Sequence, residues 1–132
     1  MARLGIKDGF AHYGAKQRNV QWSVSAWTPN GELVVCLWSS HFRKGPSGTM
    51  ECTDKVSRWR GPGRDEFARN VQHALDKGSP VRLIVATTPN TEHVESGLSA
   101  SDVPKEFAVR DDVVGKVVEF DGDRYLFRFE KT

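Results

Sequence analysis

The chain has 132 residues, 38% hydrophobic and 27% charged, with seven Phe, four Trp and two Tyr; this excludes the aromatic-poor signature of disorder and fits one domain over 1–132. Nineteen Lys and Arg stand against seventeen Asp and Glu, but the split is uneven: ten against four in residues 1–64, and nine against thirteen in residues 65–132. The longest apolar run, Leu33 to Trp38, falls far short of the roughly 18 residues of a membrane span. Arg3, Lys7 and Asp8 occupy the stretch where a signal peptide needs apolar residues, so the reading is a cytoplasmic protein with no membrane partner.

A short first strand is expected near Phe10 to Ala15. Trp22, Val24 and Ala26 then alternate with Ser23 and Ser25, and the turn Thr28-Pro29-Asn30-Gly31 leads into Leu33–Trp38, which is apolar on both faces. Pro at the second turn position followed by Asn-Gly predicts an antiparallel hairpin closed by a type I turn with a glycine bulge, its second strand central in a sheet. From His41 to Arg64 runs a Gly- and Pro-punctuated segment read as a long connection. Phe67, Val71, Ala74 and Leu75 then recur at helical spacing, predicting a helix over Asp65–Lys77 with Gly78 ending it.

Val81 to Thr87 reads as a buried strand, and Thr88 to Lys105 as a mobile loop, either a lid or an insertion. A second hairpin follows: Val113 to Phe120, the turn at Asp121-Gly122, then Arg124 to Phe129 with Tyr125, Phe127 and Phe129 on one face. The order β-β-α-β-loop-β-β implies an α+β fold. Its curved antiparallel or mixed sheet of five to six strands, a partial barrel, carries one packed helix.

The first-hairpin pattern Asn19-x-x-Trp22-Ser23-x-Ser25-Ala26, followed by Val35-x-Leu37-Trp38, resembles short uncharacterised bacterial proteins of mobile-element type. The likeness covers only that hairpin and rests on strand residues, which specify structure, so it implies no function.

The basic segment carries the chemistry. Arg43, Lys44, Lys55, Arg58, Arg60 and Arg64 stand there against Glu51 and Asp54, with Trp59 between two arginines. Guanidinium forks hold phosphates bidentately and an indole face stacks on a base. The expectation is a non-enzymatic module for DNA or RNA, with Arg43, Lys44, Arg58, Arg60 and Arg64 on phosphates and Trp59 as a stacking platform. Asp65 and Glu66 already occupy the electropositive start of the helix, so contact falls on side chains instead. A solvated loop in which Arg58 and Arg60 pair with Asp54 and Glu66, and Trp59 joins the core, accounts for the same residues.

Other chemistries find less support. Cys36 reads as a buried hydrophobe and Cys52 as an inert, partly exposed thiol, with no disulfide framework. Cys36, His41, Cys52, His73 and His93 lack the two close ligand pairs of structural zinc, and no nucleophile signature surrounds either cysteine. Asp65/Glu66 and Asp121/Asp123 have structural duties at a helix start and a turn. Asp111/Asp112 has no evident local duty, yet Asp111 to Lys116 does not match a nuclease arrangement. No catalytic, cofactor or metal residue is therefore assigned. The alternative is a small-molecule binder, a homodimer through an edge strand, with a pocket lined by Trp22, Trp27, Trp38, Tyr125, Phe127 and Phe129.

Overall fold

The computed structural model describes residues 5–19, 23–58, 62–87 and 106–132. Seven strands among them form one mixed sheet: β1 (Ser25–Trp27), β2 (Leu33–Trp38), β3 (Phe42–Lys44), β4 (Met50–Lys55), β5 (Val81–Thr87), β6 (Glu106–Phe120) and β7 (Arg124–Lys131). Their spatial order is β1-β2-β5-β6-β7-β4-β3, and only β2 and β5 run parallel. Helices α1 (Ile6–His12) and α2 (Pro62–Lys77) complete the α+β arrangement.

The helices lie on opposite faces, which explains the two apolar faces of β2. Leu33, Val35 and Leu37 join Phe67, Val71 and Ala74 of α2 in the larger core, while Val34 joins Phe10 of α1 and Ile84 of β5 in the smaller one. A strand apolar on both sides belongs between two covering layers. The turn after β1 has the expected form: the Gly31 N–H donates to the Thr28 carbonyl at 3.0 Å, with Gly31 at φ +83°. Tyr125, Phe127 and Phe129 all face α2, where the Phe67 ring meets Tyr125 at 5.3 Å and Phe127 at 6.2 Å between centroids. Gly115, opposite Phe129, leaves room for that ring; a Cβ there would collide with it and with the Arg128 carbonyl.

The structure departs from the sequence reading in several places. Phe10–Ala15 is not a strand: Ile6 and Phe10 fall one helical turn apart within α1, whose start is held by the Gly5 N–H donating to Asp8 Oδ2 at 3.3 Å. The segment from His41 to Arg64 is not one connection either. It contains β3, β4 and short 3₁₀ turns at Pro46–Gly48 and Val56–Arg58, because Phe42, Met50 and Cys52 face the core between charged neighbours. The first strand of the second hairpin begins at Glu106 rather than Val113. Among the described residues there are therefore seven strands rather than five or six and two helices rather than one, and the sheet is not closed, with β1 and β3 at its edges. The two cysteines exchange environments: Cys52 is fully buried and Cys36 half-buried. Trp22 and the 88–105 segment lie outside the described residues. Among the described residues no helix is long and apolar enough to cross a membrane.

Candidate functional site

Strands β4 and β7 pair antiparallel from Met50 to Lys55. Side chains alternate across a strand, so Cys52 and its partner Phe127 face α2, while Glu51, Thr53 and Lys55, opposite Arg128, Leu126 and Arg124, turn away from it. At the first of these outward pairs opposite charges meet. Arg128 donates through Nε and Nη2 to Glu51 Oε2 at 2.8 and 2.6 Å, and Arg43 Nε of β3 stands 3.8 Å from Glu51 Oε1.

At the other end of the same strands the pattern reverses. Lys55 faces Arg124, and like charges directly opposite one another destabilise a sheet. Neither side chain makes a hydrogen bond or close ion pair with a described side chain, although the Asp121 carboxylate lies within electrostatic range of Arg124. Both line an open groove of about 520 Å³, together with Thr53, Asp54, Ser57 and Arg58. One wall is the 3₁₀ turn at Val56–Arg58, tied to the β6–β7 hairpin by the Val56 N–H donating to the Asp123 carbonyl at 2.9 Å and the Ser57 N–H donating to Asp123 Oδ1 at 2.8 Å. Asp121, in the same hairpin, accepts the N–H groups of Asp123 and Arg124 at 2.9 and 2.8 Å. Those two bonds hold its carboxyl below the ordinary range, and the Arg124 charge adds to the effect.

Asp54, the acid among the groove's described lining residues, is already committed. Arg58 Nε donates to both Asp54 oxygens at 2.9 and 3.0 Å, Arg58 Nη2 also donates to Oδ2, and His41 Nδ1 lies 3.4 Å from Oδ2. Burial pushes the Asp54 carboxyl up. The Arg58 hydrogen bonds, the Lys55 backbone N–H and the Arg58 and His41 charges outweigh that, and the net shift is downward. Behind this cluster burial drives the Cys52 thiol far up, with Asp54 adding to it and Arg58 opposing. Cys52 is thus a thiol and not a thiolate at neutral pH, which argues against a nucleophile despite the neighbouring His41 and Asp54.

The sequence-predicted residues fall on different elements. Arg43 and Lys44 are exposed on the edge strand β3, with Arg43 opposite Glu51, two strand residues or ~7 Å along β4 from Thr53 of the groove lining. Arg58 lies in the groove, bound to Asp54; Arg64, in the first turn of α2, has its Nε 3.6 Å from Asp65 Oδ1. Trp59 and Arg60 lie outside the described residues. Nothing local in the sequence marks Thr53, Lys55, Ser57 and Arg124 as a unit. Lys55 was visible in the basic segment, but Arg124 is 69 positions away and meets it only through the β4–β7 pairing.

The remaining candidates have structural roles. His12 Nε2 pairs with Asp111 Oδ2 at 2.9 Å, and Arg110 donates to Asp112 at 2.8 and 3.0 Å, giving that acidic pair the duty the sequence did not suggest. Trp27 Nε1 donates to Asn70 Oδ1 at 3.0 Å, and Tyr125, Phe127 and Phe129 pack beneath α2. Among the described residues no three His, Cys, Asp or Glu side chains converge as a metal centre. No protein-family model, curated protein or solved structure matches the chain.

Proposed function

We propose that the protein is a non-enzymatic, cytoplasmic module that binds nucleic acid through its phosphates. The observation carrying this reading is the Lys55–Arg124 pair: two cations set face to face in a groove, neither in a close ion pair with a described residue. A fold has no need of such a pair, and a bound anion relieves its repulsion. Arg43 and Lys44 on β3 and Arg64 in the first turn of α2 are assigned further phosphate contacts. Trp59 and Arg60 follow Arg58 directly in sequence and are assigned stacking and phosphate contact. Arg58 itself serves chiefly to neutralise Asp54 at the groove wall, so its deletion reports on structure as much as on binding.

Titration with labelled single- and double-stranded oligonucleotides at two salt concentrations tests the proposal. Binding is expected at low salt, and each lost cation contact lowers the log–log salt slope by about 0.7–0.9. Absence of binding at low salt, or binding indifferent to a Lys55→Ala, Arg124→Ala double variant, overturns it.

A further inference from the structure

We infer that the groove is a phosphomonoester site, and that it takes the phosphorylated end of a nucleic-acid strand rather than an internal stretch of backbone. The inference rests on the nucleic-acid reading above and names what that surface selects.

Charge is the first argument. An internal phosphodiester carries one negative charge, whereas a terminal phosphate carries about −1.5 to −2 near neutral pH and presents three acceptor oxygens. Lys55 and Arg124 supply two cations facing each other across adjacent strands, neither in a close ion pair with a described residue, with the Asp121 carboxylate acting on Arg124 from the hairpin. One dianion between them satisfies both. Because Asp54 is already held by Arg58 and His41, the acid among the groove's described lining residues is partly screened from an incoming phosphate.

Shape is the second argument. The groove, about 520 Å³, lies within the range of about 300–1,000 Å³ typical of a small-ligand cleft and suits one nucleotide unit rather than a run of backbone. Ser57 and Arg58 of the Val56–Arg58 turn line it, and two hydrogen bonds to Asp123 fix that turn against the neighbouring hairpin. The Ser57 N–H is taken by Asp123, leaving its hydroxyl, with that of Thr53, to donate to phosphate oxygens.

The experiment compares one oligonucleotide sequence with a 5′-phosphate, a 3′-phosphate or hydroxyl ends, by fluorescence anisotropy, with AMP and inorganic phosphate as competitors. A terminal phosphate is expected to tighten binding about tenfold, AMP to compete better than adenosine, and Lys55→Ala or Arg124→Ala to abolish the difference. Thermal melts of both variants confirm that they fold, and Lys55→Gln repeats the test with side-chain length kept. Equal affinity for phosphorylated and hydroxyl ends overturns the end selection while leaving the nucleic-acid reading standing. Binding of AMP with no binding of any oligonucleotide upholds the phosphomonoester site and overturns the nucleic-acid reading. Indifference of AMP binding to both substitutions overturns the site itself.

Discussion

Two places on one pair of strands obey opposite rules. At the Glu51–Arg128 end the charges alternate across β3, β4 and β7, and each is answered by a partner at hydrogen-bond or ion-pair distance. At the Lys55–Arg124 end, two rows along the same face, cation stands opposite cation. The strands, the register and the face are shared, so backbone geometry is not the cause of the difference. The first end is arranged as a sheet stabilises itself, and the second leaves like charges opposed, the arrangement on which the proposed anion site rests. On that proposal stability and binding are separated along one strand pair, and substitutions at the two ends should separate them too.

The largest effect is expected from reversing both cations. Lys55→Glu with Arg124→Glu turns the groove acidic, and oligonucleotide affinity at low salt should fall about ten- to hundredfold. The thermal melt should hardly move, because a like-charge pair replaces a like-charge pair. A melt that collapses while affinity holds would reverse the assignment of the two ends. The companion substitution is Glu51→Ala, which strands the Arg128 guanidinium and removes the partner of Arg43. A stability loss of about 1.5–3 kcal/mol is expected in denaturant titration, with oligonucleotide affinity retained.

How much of this was legible beforehand follows from which forces act locally. The Thr28–Gly31 turn, the strand at Val81–Thr87, the helix ending at Gly78 and the Tyr125–Phe129 face are encoded in spacing and turn chemistry, and all are found. The segment 41–58 was misread because its inward residues, Phe42, Met50 and Cys52, are few and lie between charges that mask period-two alternation. The helix at Ile6–His12 was missed because Gly5 and Gly9 lower helical propensity while packing on β5 decides the outcome. For the groove, sequence showed an excess of cations around Lys55 and Arg58 but not the partner. Arg124 meets Lys55 through the non-local β4–β7 register, which depends on the whole sheet.

A smaller effect is expected in acid. The Asp54 carboxyl has a lowered pKa in the folded state, so the unfolded chain binds more protons there. Its contribution is present above the unfolded value, about pH 3.9, and is lost as pH falls through the lower folded one. Asp54→Asn should therefore flatten the acid limb of the stability profile, while the Glu51→Ala variant keeps the steepness that Asp54 supplies. An unchanged acid slope in Asp54→Asn would show that the groove wall does not depend on this pair.

The smallest effect is the most diagnostic, because its sign is unusual for a substitution at a sheet position. Changing only Arg124 to Glu replaces a repulsive cross-strand pair by an attractive one, worth about 0.2–1 kcal/mol, against which stands the lost attraction to Asp121; a small net gain is expected while oligonucleotide binding weakens. The gain should shrink with added salt, since both side chains are exposed and ions screen their interaction. Arg124→Gln should fall between, removing the repulsion without creating an attraction. If Arg124→Glu instead destabilises at low salt, then Arg124 contributes a contact that the fold itself uses. The surplus charge at this end of β4 and β7 would then be structural, and the contrast with the Glu51 end would disappear.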